Sequence, residues 1–237
     1  MSLNKKNKPL YKKILKLRYP ISNVNKLNRL KKSKWSNFVL QLKRAGRRRK
    51  KFILQDHLMY SNSNYLSRYN RKFKSNLSLK QKFNVYYGNL LEKYLKSVVR
   101  LSLRKNSRDF SYKPSSFMVE ILEQRLDVIL VRSFFANSIA NARQLILHGH
   151  IYVNGRKQTN LRYPLKKGDL IELSKLSKYD IETNILNSNL WPLPPEHLEI
   201  NYNTLQIKFV NKPQINNMWS HYSFFMNFNQ IIAYYSH

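Results

Sequence analysis

The amino-acid sequence predicts an α+β protein: a helical region, then a small α/β unit of two helices and short antiparallel strands, between a basic extended N-terminus and a C-terminal strand segment. Three observations predict it. An amphipathic stretch covers 78–103, apolar residues at helical spacing from Pro114 to Leu147 end at a glycine, and the pattern then alternates around an Asn-Gly pair. The expected partition is 1–75 for the extension, 76–115 for the amphipathic helical segment, 116–175 for the small domain, and 176–237 for a linker and strand segment packing on the helical region.

The extension is defined by charge. The chain holds 44 Lys and Arg against 12 Asp and Glu, a formal net charge of +32. Residues 1–91 carry 25 of the basic side chains and one acid, Asp56. The densest run is Lys43, Arg44, Arg47, Arg48, Arg49, Lys50 and Lys51. A like-charge block of this kind repels itself and stays extended until a polyanion orders it. An import sequence would also be basic and acid-poor, though shorter and richer in Ser and Ala.

So large an excess needs an anionic partner, and nucleic acid is the first candidate. A membrane surface is the second, but no run of ~18 apolar residues is present to span a bilayer. The absence of Cys excludes disulfides and Cys-ligated zinc and suits a reducing interior. His148 and His150 form the one close His pair and lack carboxylate support, so neither a metal nor a cofactor is expected. Paired carboxylates, a Ser-His-Asp order and a Gly-rich phosphate loop are all missing from a chain with only 5 Gly. No catalytic residue is assigned, and the chain is not expected to be an enzyme.

In the helical segment, Leu79, Phe83, Tyr86, Tyr87, Leu90, Leu91, Tyr94, Leu95 and Val98 recur at steps of three and four, with Ser78 as the candidate N-cap of one helix over 78–103. Lys80, Lys82, Lys93, Lys96 and Arg100 take the opposite face. The aromatic stripe reads as core rather than as a surface for stacking bases, and Gly88 marks a close helix contact. Residues 104–115 read as a loop.

After Pro114, Met118, Ile121, Leu122, Leu126, Ile129 and Leu130 share one helical side. A second helix runs from Asn137 or Ser138 to Leu147 and stops at Gly149, which suits a left-handed C-cap. His150–Val153 alternates as a strand, Asn154-Gly155 suits a type I′ turn, and Leu170–Leu173 supplies another strand. Beyond a Pro-rich connector, HLEINY and TLQIKFV flank a turn at Asn203, and NQIIAYYSH is a short strand or helix.

These residues carry a resemblance. Arg125-Leu126-Asp127, Ser138, Ala142-Arg143-Gln144-Leu145, His148 to Gly155, and Gly168-Asp169-Leu170-Ile171 follow the pattern of the RNA-binding fold named after ribosomal small-subunit protein four. The preceding LSLKQKFNVYYGNLLEKYLKSVV and the closing PEHLEINYNTLQIKFV and IIAYYSH are similar to the flanks of the ribosomal protein itself. The resemblance covers about residue 76 to the end and is weakest over Lys175 to Leu190. The first 75 residues depart from the bacterial pattern, lacking its cysteines.

The resemblance implies a structural constituent of the small ribosomal subunit. It would bind small-subunit rRNA at a helix junction early in assembly, among neighbouring ribosomal proteins, near the point where mRNA enters and the decoding-fidelity region. The form of the C-terminal segment and a composition rich in Asn, Lys, Ile, Tyr and Phe, as an AT-rich organellar genome would impose, look mitochondrial, with a plastid as the alternative. Two other functions were weighed. A pseudouridine synthase would need a catalytic domain of about two hundred residues after the fold, and only 110 residues follow Asp127. A stand-alone RNA-binding chaperone or recycling factor would lack the matching flanks.

The candidate contacts follow from chemistry and motif together. Arg143 and Arg125 are the stronger phosphate anchors, because a guanidinium can grip two oxygens or stack on a base. Arg125 with Asp127 also reads as a structural ion pair. Ser138 and Asn141 sit at a helix start that favours phosphate. Gln144, His148 and His150 can bond sugar hydroxyls or base edges, and Asn154, Arg156 and Lys157 bring the hairpin into the same neighbourhood. Lys80, Lys82 and the Lys43–Lys51 run complete the set. The C-terminal strands and the tail around Phe224, Phe225 and Tyr234, being less basic, are expected to meet proteins.

Overall fold

The computed structural model describes residues 10–17, 21, 32–48, 68–108, 113–174, 178–186, 193–214, 222 and 226–236, and two compact units organise the chain. The N-terminal unit comprises Met1–Asn89 with Tyr222–Tyr234; the sheet unit comprises Leu90–His221 with Tyr235–His237.

In the N-terminal unit, α1 (Leu10–Leu17), α2 (Ser33–Arg48) and α3 (Arg68–Tyr86) are helical, so the described part of the basic extension is not extended. Their apolar positions fall on one face of each short helix, and burial of that face offsets the weak propensity of isolated turns. Ile14, Trp35 and Phe38 form a small buried cluster, with the Tyr11 ring edge-on to Trp35 at 6.4 Å.

A second cluster is aromatic. Phe83 and Tyr87 are fully buried, and Tyr222 and Phe228 pack on them. The Tyr87 and Tyr222 hydroxyls share a hydrogen bond of 2.7 Å. The expected core role of this stripe is what the geometry shows. The segment NQIIAYYSH is helical, within the last helix, here α9 (Phe228–Ser236).

The single helix expected over 78–103 is corrected. The helix starts earlier, at Arg68, so Ser78 lies inside it and caps nothing. It ends at Gly88 and Asn89, both left-handed (φ 77° and 56°). Asn89 N–H donates to the Asn84 carbonyl and Gly88 N–H to Val85, a paired closure that a helix cannot continue through. A new helix, α4 (Glu92–Arg108), follows, and Leu91, counted on the apolar stripe, is 64 % exposed.

In the sheet unit α4 packs on α5 (Pro114–Glu123). The helical pattern after Pro114 is also two helices, α5 and α6 (Leu126–Arg132). The break at Gln124-Arg125 has a tertiary cause: Arg125 forms an antiparallel bridge with Pro164, Leu126 N–H donates to the Tyr163 carbonyl, and Leu165 N–H to the Gln124 carbonyl. Backbone groups bonded to that loop are unavailable to a continuous helix.

Helix α7 (Ile139–Leu147) and strands β1 (Ile151–Val153), β2 (Arg156–Lys157) and β3 (Leu170–Leu173) follow as expected. A short helix, α8 (Lys178–Leu186), occupies part of the segment for which no role was assigned. Strands β4 (Leu198–Asn201) and β5 (Gln206–Phe209) flank the turn at Asn203. All five strands form one antiparallel sheet, ordered β2-β1-β3-β5-β4.

Of the segment expected to pack on the helical region, Tyr222 and Phe228 meet Phe83 and Tyr87, while the strands pair elsewhere. They extend the small domain's own sheet, with Ile171 opposite Ile207 in the β3–β5 ladder. Beneath it lies a core of Leu126, Ile129, Leu130, Phe135, Ala142, Ile146, Ile151, Ile171, Ile207 and Phe209. Each fully buried large apolar side chain there contributes about 1.5–3 kcal/mol. This core fixes α7 and the β1–β2 hairpin, the elements that carry most of the candidate contacts.

Candidate nucleic-acid interface

Helix α7 begins at Ser138, whose hydroxyl accepts the Asn141 N–H at 3.2 Å. It ends at Gly149 (φ 73°), where Gly149 N–H donates to Ile146 and His150 N–H to Leu145. A side chain on Gly149 would be strained by that φ and would meet the Lys157 side chain, which lies across this glycine. Between the caps, Ala142, Leu145 and Ile146 face the core, Gln144 is exposed and Arg143 half-buried, and Asn141 is half-buried with its Oδ1 out of solvent.

Arg143 is held from below. Its Nε donates to Asp127 Oδ2 at 3.0 Å, and Arg125 Nη2 donates to the same oxygen at 2.6 Å. Asp127 is 0 % exposed and Arg125 1 %. Arg143 keeps about a quarter of its side chain in solvent (27 %). One buried carboxylate thus joins two guanidiniums, and charge-assisted bonds of this kind fix the orientation of the outer one.

Arg125 is therefore corrected as a contact residue. Its side chain is sealed between Asp127 and the Tyr94 ring, 5.6 Å from its centroid. The alternative ion-pair reading is the one the geometry supports. Lys82 is corrected too: only 6 % of it is exposed, and burial lowers its pKa to about 8. Helix α3 turns it inward, although its spacing from Lys80 suggested a shared basic face. Lys80 itself is half-buried, donating to the Tyr234 hydroxyl at 3.2 Å above that ring.

The hairpin turn is as expected, with φ 52° at Asn154 and 74° at Gly155. Asn154 is occupied by it, since Nδ2 donates to Asp169 Oδ1 and Oδ1 accepts the Leu170 N–H, both at 2.9 Å. Asn154 is thus a hairpin clasp whose residue remains exposed. Arg156 and Lys157 are exposed on β2, and Gln144 and His148 are exposed at the end of α7. The His148 and His150 rings stack at 6.1 Å, and His150 Nδ1 pairs with Ser174 Oγ at 3.0 Å. Among the described residues no group of three His, Asp or Glu is placed to hold a metal, and no helix is long and apolar enough to cross a membrane.

Of the basic run, Lys43, Arg44, Arg47 and Arg48 belong to α2, and Arg44 is exposed; the side chains of the other three, and Arg49, Lys50 and Lys51 altogether, lie outside the described residues. Phe224 and Phe225 also lie outside them. Sequence reasoning missed the support: Asp127 was read only as Arg125's partner, yet it also holds Arg143, sixteen positions on. Its signal was the lone acid beside an Arg in an otherwise apolar helix.

Comparison with known proteins places this geometry. Residues 124–171 match the S4 domain family. The chain is 30 % identical over 178 residues to small ribosomal subunit protein uS4m of Reclinomonas americana, covering 72 % of this chain and 68 % of that protein. It is 31 % identical to small ribosomal subunit protein uS4 of Pelagibacter ubique, over 68 % of this chain and 75 % of that one. The corresponding figures for uS4 of a Chelativorans species are 32 %, 69 % and 77 %. The chain belongs to the uS4 family of small-subunit ribosomal proteins. The likeness to the uS4 relatives, over 178 residues for the Reclinomonas protein, extends well beyond the S4 domain. The uS4 relatives are ribosomal proteins by name, and the chain is accordingly grouped with them and not with enzymes.

Proposed function

We propose that this protein is a structural constituent of the small ribosomal subunit that clamps small-subunit rRNA through the outer face of α7 and the β1–β2 hairpin. The observation that carries the reading is the arrangement of Arg143: a guanidinium bonded to a buried carboxylate, on a helix whose neighbours Gln144, His148, Arg156 and Lys157 are exposed. Such a face grips backbone and shape rather than a base sequence. Ser138 and Asn141 supply the start of α7, where peptide N–H groups favour a phosphate. The exposed Arg44 and the rest of the Lys43–Lys51 run provide a second electrostatic contact, and Lys80 a further basic side chain.

The reading includes the 116–175 region as the rRNA-binding domain, early binding at an rRNA helix junction, and a place close to the mRNA path and the fidelity region, with neighbouring ribosomal proteins as further partners. The location we favour is the mitochondrion, because a mitochondrial uS4m is among the similar proteins and the composition is AT-biased; a plastid is the alternative. The test is sucrose-gradient sedimentation with in-cell ultraviolet cross-linking. Co-migration with the small subunit, with cross-links concentrated on its rRNA at α7 and the hairpin, is the expected result. A light-fraction protein cross-linked to scattered RNAs would overturn the ribosomal assignment, and fractionation of organelles decides the location.

A further inference from the structure

The loop after β2 brings one more arginine to the Arg125–Asp127–Arg143 cluster. Its backbone is bonded to the chain around Arg125 on both sides of Pro164, through the Tyr163 carbonyl and the Leu165 N–H (both bonds described above). It is also ordered from within: Gln158 Oε1 accepts the Asn160 N–H, and Asn160 Oδ1 accepts the Arg162 N–H, each at 3.1 Å. Arg162 is exposed, and its guanidinium lies 4.6 Å from the centroid of the Tyr94 ring. The same ring meets Arg125.

Stacking on a ring occupies the face of a guanidinium and leaves its five in-plane N–H donors available. Among the described residues Arg162 has no carboxylate partner, whereas Arg125 and Arg143 both bond Asp127. Arg125 Nε and Nη1 are buried without a hydrogen-bond partner among the described residues, and Arg162 beside them carries an exposed positive charge. An anion at its outer side would offset that charge.

We infer that Arg162, packed over the Tyr94 ring, is a further RNA-backbone anchor that takes a phosphate beside the α7 face. The inference rests on the proposed RNA role and extends the interface from α7 and the hairpin to the loop at 158–165. Arg162 was outside the residue set that sequence reasoning assembled, since nothing local marks it: its position follows from the bridge at Pro164, almost forty residues after Arg125.

The test is equilibrium filter binding of the full chain to small-subunit rRNA transcribed from the same genome, across a salt series. Arg162→Ala is expected to weaken binding about five- to tenfold at low salt and to reduce the salt slope by about 0.7–0.9, the loss of one phosphate contact. Arg162→Lys keeps the slope, because the charge remains, but binds more weakly for want of the stacked fork. Circular dichroism and the melting temperature are expected to be unchanged in both, Arg162 being exposed. A wild-type slope and affinity in Arg162→Ala, alongside a reduced slope in Arg143→Ala, overturns the inference and leaves the RNA role standing. Absence of salt-dependent binding by the unaltered chain overturns both.

Discussion

In the sheet unit three buried acids meet arginines or a lysine: Asp127 lies between Arg125 and Arg143, Glu123 takes Arg132 on both oxygens at 3.0 and 2.8 Å, and Glu120 meets Lys212 at 2.9 Å. In the N-terminal unit Asp56 is the only acid of the whole sequence span, and a lysine, Lys82, is buried with its pKa pulled down to about 8. The sheet unit pairs several of its buried charges within its own fold and rests on an aliphatic core under a sheet. The N-terminal unit rests on two small aromatic clusters and has one acid in its span to set against its basic residues. A fold with so few acids is the one expected to gain more stability from a bound polyanion.

The strongest way to break the contrast is to remove the carboxylate that balances the sheet unit. Asp127→Ala leaves Arg125 buried and uncompensated, and is expected to cost about 3–5 kcal/mol in urea unfolding. Replacing the pair together, Arg125→Met with Asp127→Leu, is expected to recover most of that loss. A single-variant cost below about 1 kcal/mol would mean that the ion cluster does not hold the fold.

Cavity formation comes next. Ile146→Ala, in the core beneath α7, is expected to cost about 3 kcal/mol in the same measurement. Trp35→Ala, in the Ile14–Trp35–Phe38 cluster, is expected to leave the sheet unit's urea midpoint in place and to lower hydrogen-exchange protection in α1 and α2 only. A shared loss of protection in both units after Trp35→Ala would show that the two are one cooperative body.

What could be read in the sequence divides along the same physical line. Ser138, Gly149 and Asn154-Gly155 announce their caps and turn because the determining geometry is local: a hydroxyl three residues from its N–H, or a backbone that must take positive φ. The end of α3 was missed for a related reason. Gly88 alone is tolerated inside a helix, and only its pairing with a left-handed Asn89 stops the chain. The fates of Arg125 and Lys82 were beyond local reading. Arg125 is buried because a loop near Pro164 bridges to it and Tyr94 covers it, and Lys82 because α3 packs its unit's interior on the face that periodicity had marked as basic. Both are contacts between segments far apart in the chain, which composition and spacing do not encode.

A smaller effect concerns His197, buried beside the Phe209 ring at 5.8 Å. Burial lowers its pKa from 6.5 to about 4, with Glu123 pulling it up and Arg132 down. The folded protein therefore keeps it neutral between pH 6.5 and 4, while the unfolded chain takes up a proton over that range. The stability tied to this group is fully present above about pH 6.5 and is lost progressively toward pH 4, by up to about 3 kcal/mol. His197→Phe is expected to flatten that part of the pH–stability curve. An unchanged curve would place the acid sensitivity on other groups.

The smallest expected effect separates the fold of α7 from its charge. Ser138→Ala leaves the Asn141 N–H without its acceptor and is expected to cost about 1 kcal/mol, with faster hydrogen exchange confined to the first turn of the helix. Ser138→Asp restores an acceptor and adds a charge that the helix N-terminus favours, so stability is expected to return to within a few tenths of a kcal/mol. RNA affinity is expected to move the other way. The new carboxylate stands where a phosphate is proposed to approach, so Ser138→Asp binds RNA less well than Ser138→Ala although it is the more stable protein. Equal RNA affinity for the two variants would remove the start of α7 from the interface and leave Ser138 with a capping role alone.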